Sequence, residues 1–462
     1  MKRSIPVLLV LVMIISIIAG CSSGTTQTDN NKTPANTSTP TATAAAEEPA
    51  AVNLDSFSGK VEISLPAGDF QTYLAKYAKP KFEKRYKNVK LNITLDGGNG
   101  GEKLLARVAA GDSPEIYDGT LGYMPAKFHQ LGKTVNIKEL PGAQELIDRI
   151  DPQYISEIDG GLYYVPWTGV TQVMVYNKEL FKEAGLDPEK PPVTFDEFLQ
   201  YADQIQKLPP RANGDKVYGT VFWNDALGWG GWYWQMLAQI YYNFNDGQYQ
   251  LLNKTGTDIV FDKPEAKMKE FFEFMKKSQG YSPKLMSNKE RFFNRNVGMW
   301  LQFGLGWKSN FKEAPDKPMV IGEDVGIAPL LVLSADKKPI STLDGRSLLI
   351  FKKDDNQVKL AWEVVKFLME DDNNLDACNV AVQLPTLKSL QKDPLFQEPE
   401  YKIFVDQMNN SLINEPFLSA EAVANEVQKA YQKIVVDQSV SVDDGIKEAA
   451  TAAREALKKA QQ

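Results

Sequence analysis

The sequence predicts an α/β protein built in two halves, and three observations predict it. Strand-like and helix-like segments alternate from Lys60 onward, the pattern of a sheet with helices packed on its faces. The 462-residue chain exceeds the size at which one hydrophobic core stops growing, so two lobes are expected. Composition is that of a globular protein, 43% apolar and 24% charged, and no internal repeat is visible.

The elements follow in order. "KVEISLP" (60–66) alternates as a strand, and "AGDFQTY" leads into a helix ending near "KFEKRY". "VKLNITL" is a second strand, followed by a glycine-rich loop and the helix "EKLLARVAAG". "PEIYDGTLGYM" supplies a third strand and loop. Asn177 caps "KELFKEA", Gly185 ends it and Pro188 prevents continuation. Thr194 and Glu197 form a capping box ahead of an amphipathic run. Asp262 and Pro264 are expected to open "EAKMKEFFEFMKKSQG" in the same manner, and "DDGIKEAATAAREALKKA" is a closing alanine-rich helix. Ligands of a parallel α/β sheet sit beyond the carboxyl ends of its strands. That makes Asp69, Asn99, Asp118 and Tyr123 candidate cleft residues, with turn or cap roles as the plain alternative.

The first residues are an address. Lys2 and Arg3 precede an uncharged run from Ser4 to Gly20, shorter than the roughly 20 residues a spanning helix needs. "IAGC" (18–21) resembles the lipobox of bacterial lipoprotein signals, which implies cleavage before Cys21 and lipid attachment to its thiol. A retained transmembrane anchor is the competing reading. Residues 22–51 contain no aromatic or large aliphatic side chain and read as a flexible tether.

Several function classes are excluded by counts. A net charge of −7 disfavours nucleic acid. Two cysteines, Cys21 and Cys378, and one histidine, His129, leave no clustered zinc site and one possible base for a catalytic triad. His129 is expected to be solvated near a helix end, and Cys378 to be a small buried hydrophobe. No GxxxxGK[ST] loop appears, and "GGNGGE" (97–102) matches a dinucleotide loop only loosely. No metal and no cofactor are expected.

"LYYVPWTGVTQVMVYNKELFKEAGLDPEKPPVTFDEFLQYADQI" resembles the central signature of the extracellular solute-binding proteins of ABC importers, family 1. The likeness is carried by Tyr176, Asn177, Leu180, Phe181, Ala184, Gly185, Leu186, Pro191, Pro192, Thr194 and Glu197. "LLARVAAGDSPEIYDG", "RFFNRNVGMWLQFGLGW", "VGIAPL", "QLPTLKS" and "VVDQSVSVDDGIKEA" agree in order. Glu115, Asn294, Asn296 and Gly298 depart from the usual residues. The resemblance implies a two-lobed periplasmic-binding-protein-like fold (type II) with extended crossings near 167–171, 328–330 and 384–385. It divides the chain into a signal peptide (1–20), lipidated Cys21 with linker (21–56), lobe one (57–168 plus 329–383) and lobe two (169–328 plus 384–462).

The implied function is capture of a mono- or oligosaccharide by hinge closure and delivery to an ABC permease. The expected protein is a non-enzymatic monomer, lipid-anchored on the extracytoplasmic face of the cell membrane. Another small polar solute such as a polyamine, or a surface glycoside hydrolase, remains open. The loop "FWNDALGWGGWYWQ" (222–235) holds four of the eight tryptophans. A flat indole suits the apolar face of a pyranose, so Trp223, Trp229, Trp232, the hinge residue Trp167 and Trp307 are candidate platforms. Asn224, Gln302 and Arg346 join Asp69 and Asp118 as candidate hydroxyl partners. Trp234 and Trp300 are expected in the core.

Overall fold

The computed structural model describes residues 57–97 and 101–460. The signal segment, Cys21, the linker and Asn99 lie outside the described residues. Four strands come first: β1 (Gly59–Leu65), β2 (Val89–Leu95), β3 (Ile116–Thr120) and β4 (Val165–Val170). Four more follow: β5 (Gln172–Asn177), β6 (Tyr218–Thr220), β7 (Val297–Gly304) and β8 (Val325–Ala328). β9 (Ser341–Ile350), β10 (Leu384–Pro385) and β11 (Ser411–Ile413) complete the set.

The first four and last three strands form one sheet, in the order β10-β4-β9-β3-β1-β2 with β11 against β9. The middle four form another, in the order β6-β7-β5-β8. The chain therefore leaves the first sheet after β4, builds the second, and re-enters the first at β9. Thr171 alone separates β4 from β5, and its hydroxyl donates to the Phe404 carbonyl at 2.8 Å.

Neither sheet is wholly parallel. β1 runs parallel to β2 and β3, but β9 is antiparallel to both β3 and β4. The reason is the return crossing: β9 arrives from the second sheet and enters the first against the direction of β3. Leu384–Pro385, expected as a crossing, is instead the edge strand of the first sheet, paired with Gly169 and Thr168. The chain is still beside that sheet at Leu387, which bridges Ile150.

The helix punctuation follows the side-chain chemistry. Asn177 accepts from the Glu179 and Leu180 amides, and Gly185 takes φ 73° after that helix, a conformation glycine adopts without a Cβ penalty. The Thr194–Glu197 box is formed in both directions. Asp262 does not cap its helix. Pro264–Ala266 makes a separate short turn, Lys267 turns left-handed at φ 61°, and the helix starts at Met268. Asp262 pairs instead with Arg454 on the last helix at 2.8 Å. Helices 355–368 and 371–381 cover the first sheet, while 195–206, 268–279, 420–431 and 442–460 pack around the second. Cys378 is buried within its helix, and half-buried His129 stacks on Tyr163 with Asp159 3.2 Å from Nε2. No helix among the described residues is long and apolar enough to cross a membrane.

Candidate functional site

A cavity of about 410 Å³ opens where the two sheets meet. The first sheet contributes Thr120 at the end of β3, Asp344, Gly345 and Arg346 from β9, and Gln383 beside β10. The crossing contributes Val170 and Gln172, and the second sheet contributes Gly304 at the end of β7 with Gly306, Trp307 and Asn310 after it. Gln235 and Met236 enter from the π turn Tyr233–Ala238, a wide turn of a kind frequent at functional sites.

The β9 wall follows from alternation along a strand. Residues 342, 344 and 346 share one face of "STLDGRSLLI", and the last two reach the cavity. Gly345 sits between them at φ 151°, and a Cβ there would lie 2.0 Å from the Thr168 carbonyl oxygen. Only glycine lets β9 press this close to β4. Arg346 Nε donates to Asp118 Oδ1 at 2.8 Å, and its Nη2 donates to the Asp118 carbonyl at 2.9 Å. The guanidinium also lies over the Phe70 ring at 5.4 Å. Asp118 is completely buried, and its Oδ2 has no hydrogen-bond partner. Burial pushes its carboxyl upward while the Arg346 charge pulls it back.

Asp344 is buried with a different set of partners. It accepts from the Gly345 amide at 2.7 Å and from Gln235 Nε2 at 3.4 Å across the cleft. Burial raises its carboxyl to about 6, opposed by these hydrogen bonds and by Arg346.

On the facing wall, Trp307 stands half-buried against Trp223 at 5.2 Å and Trp300 at 5.6 Å, both edge-on. Indoles held at their edges keep a fixed plane.

Of the residues expected from sequence, Trp307 and Arg346 line the cavity. Asp118 and Trp223 stand behind them, and Gln302 is buried, donating to the Met236 carbonyl at 3.2 Å so as to tether the π turn. Tyr123 reaches across instead: it stacks on Trp234 at 4.8 Å, next to the Lys127–Glu421 ion pair.

Like Asp118 and Gln302, three more of the expected residues are sealed from the cavity in this structure. Trp232 is fully buried, with Nε1 donating to the Trp223 carbonyl at 2.7 Å and its ring 5.1 Å from Tyr431. Asn224 is buried between Gln279 Oε1 at 2.8 Å and the Tyr431 hydroxyl at 3.0 Å. Trp167 is enclosed by Phe70 and Tyr73. Trp229 is 40% exposed but outside the cavity, and Asp69 is exposed at the start of the helix after β1. Trp234 and Trp300 are buried.

Asp344, Gln235, Gln172, Gln383, Asn310 and Thr120 were not foreseen. For Asp344 the signal was present: an Asp-Gly-Arg sits in a strand that carries no other charge, two residues from the arginine that was singled out. Among the described residues, no group of three or more His, Cys, Asp or Glu side chains is arranged to hold a metal ion.

A family model described as bacterial extracellular solute-binding protein matches residues 67–375. Among curated relatives, the sn-glycerol-3-phosphate-binding periplasmic protein UgpB of Escherichia coli K12 is 26% identical over 341 residues, 69% of this chain and 73% of the relative. The fold resembles the cyclic alpha-maltosyl-1,6-maltose binding protein of Arthrobacter globiformis (TM-score 0.72, 20% identity), across 87% of this chain and all of that one. It also resembles an ABC transporter solute-binding protein of Thermotoga lettingae bound with α-D-tagatose (TM-score 0.68, 20% identity, 87% and 100% covered).

Proposed function

This chain belongs to the bacterial extracellular solute-binding proteins, and on that premise we propose that it captures a mono- or oligosaccharide between its two lobes and passes it unchanged to an ABC permease. The observation that carries this reading is the cavity itself, with one polar wall from each side and Trp307 as a flat apolar face. Its volume of about 410 Å³ lies within the range of roughly 300–1,000 Å³ seen for small-molecule sites. Amide side chains Gln172, Gln235, Asn310 and Gln383 each offer both donor and acceptor, as hydroxyl groups require. The names of the solved relatives, which bind a cyclic maltosyl-maltose and tagatose, support the same class.

The mechanism is a shift between open and closed arrangements, in which a ligand touching both walls favours closure. No bond is made or broken. Lipid attachment at Cys21, after removal of residues 1–20, keeps the monomer at the outer face of the cell membrane, and the linker up to residue 56 lets it reach its permease.

A phosphorylated polyol is the second reading, favoured by the curated relatives' name and by Arg346 in the cavity wall. Against it, the guanidinium is already bonded twice to Asp118. The test is a thermal-shift panel of mono- to tetrasaccharides, polyols and sn-glycerol 3-phosphate, followed by calorimetry on the hits. A saccharide that raises the melting temperature, with loss of the shift in Trp307→Ala, is the expected result. A panel in which only the phosphate ester shifts the melt overturns the carbohydrate reading, and turnover of any glycan overturns the non-enzymatic one.

A further inference from the structure

We infer that Asp344 is the residue that sets ligand charge at this site: as a carboxylate in the cavity wall it takes hydrogen bonds from neutral sugar hydroxyls and turns away acidic and phosphorylated analogues. The inference rests on the carbohydrate reading and adds the substrate class to it.

The charge balance of the wall leads there. Arg346 brings one positive charge, Asp118, bonded to it at 2.8 Å, cancels it, and the buried Asp96 acts on both from behind the wall. Asp344 is then left over. Among the described residues its protein donors are the Gly345 amide and Gln235 Nε2, whereas an ionised carboxylate has about four lone-pair sites. The Gln235 bond is long, 3.4 Å, and spans the two lobes, so it is the contact a ligand hydroxyl most easily replaces. The hydrogen bonds of Arg346 run from Nε and Nη2 to Asp118, which leaves Nη1 as the donor for a ligand. A sugar bridging Nη1 and the Asp344 oxygens would present a hydroxyl pair as acceptor to one and donor to the other. A phosphate or carboxylate in the same place would set like charges together in a desolvated site, where repulsion is weakly screened.

The surroundings define the pH response. The titratable and charged groups around Asp344 are Arg346 on its own strand, Tyr123 on the helix 123–130 and Tyr154 beside β4; the Tyr123 hydroxyl is raised by burial and then by Glu421 and Asp344, that of Tyr154 by burial and then by Asp151, Cys378 and Asp344. Neither tyrosine ionises near neutrality, so Asp344 titrates alone there. Its folded value, raised to about 6, means that ionisation costs the free protein stability: the cost is absent at acid pH, grows as pH rises, and is complete above about pH 6. Ligand hydroxyls offset it. Hence sugar affinity falls as pH drops through about 6, while the unliganded protein gains stability over the same interval.

The experiment is calorimetry of the lipid-free mature chain with maltotriose, mannotriose, glucose and tagatose, against glucose 6-phosphate, glucuronate and sn-glycerol 3-phosphate, for wild type and Asp344→Asn between pH 5 and 8. We expect a neutral sugar to bind at least tenfold more tightly than any anion. Asp344→Asn lowers that sugar affinity at least tenfold at pH 7.5, narrows the gap to the anions, and removes the pH dependence. It also raises the unliganded melting temperature at pH 7.5, and raises it by a smaller amount at pH 5, which lies inside the interval over which the cost builds up. If the variant does not fold, the wild-type pH profile and the neutral-to-anion ratio decide alone. An anion binding as tightly as a neutral sugar, or sugar affinity flat from pH 5 to 8, overturns the inference and leaves carbohydrate binding standing. No response to any sugar removes the carbohydrate reading and this inference with it.

Discussion

On the first sheet the cavity wall is a strand carrying two charged side chains, Arg346 and the buried Asp344, the former bonded to Asp118 on the neighbouring strand. On the second sheet it is a short turn after β7 carrying a half-buried indole propped by two others. The strand wall is set by the backbone: Gly345 holds β9 against β4, and Asp118 holds Arg346 in one orientation. The turn wall is set by side-chain packing alone. A rigid polar wall facing an aromatic one separates the two tasks of recognition, since hydrogen bonds need fixed positions and stacking needs only area. The sharpest way to break that contrast is to damage each wall and see which property fails.

Damage to the polar wall has the largest expected effect. Arg346→Met leaves the Asp118 carboxylate buried and unpaired, which costs about 3–5 kcal/mol of folding free energy. Chemical denaturation reads it. The double variant Asp118→Asn with Arg346→Met removes both charges and recovers most of the loss, yet its sugar affinity stays low because the Nη1 donor is gone. Recovery of affinity along with stability would show that Arg346 is scaffolding and not part of recognition.

The tryptophans sharpen the comparison on the other wall. Trp232→Ala deletes a fully buried ring and its bond to the Trp223 carbonyl, at a cost of about 3–5 kcal/mol. The fraction that stays folded should bind sugar within about threefold of wild type, since a twofold to threefold change is the scale of one lost indirect support, under 1 kcal/mol. Trp307→Ala reverses the pattern: affinity falls tenfold or more, about 1.4 kcal/mol, with a smaller loss of stability. Calorimetric titration beside thermal melts separates the two outcomes. Equal losses of affinity in both variants would place Trp232 in the site after all.

The same pair shows how much of the molecule was legible in its sequence. Strand and helix order, the capping box at Thr194 and the Asn177 cap depend on local spacing, which periodicity reports directly. The loop 222–235 was read as open because four indoles in a glycine-rich loop are costly to leave wet without use. The structure takes the other way out. The C-terminal helix 420–431, some two hundred residues away, brings Tyr431 against Trp232 and Asn224 and closes that stretch. Burial by a distant segment leaves no local trace. Asp344 was missed for the opposite reason, since an acid followed by glycine reads as a turn residue until its neighbours are known. Lys267 and Asp262 show the limit at helix ends, where a left-handed residue moved the start past a well-spaced capping pair.

The smallest expected effect lies where the two walls meet. Tyr123, near the first sheet, stacks on Trp234 of the second half at 4.8 Å and 18°. Lys127, one turn along the same helix, pairs with Glu421 and lies 5.3 Å above the Tyr123 ring. Neither contact touches the cavity, so any influence on binding acts through closure. An aromatic pair is worth about 0.5–1.5 kcal/mol, and a mostly shielded surface ion pair about 1 kcal/mol or less. Contacts made only when the halves are together add that energy to every ligand alike. Tyr123→Ala should therefore weaken all bound sugars by one common factor, between about twofold and tenfold. The change should sit in the dissociation rate, because the open form that admits ligand is untouched. Stopped-flow tryptophan fluorescence measures it. A factor that differs from sugar to sugar would mean that Tyr123 contacts the ligand itself, and the separation between walls that recognise and contacts that close would no longer hold.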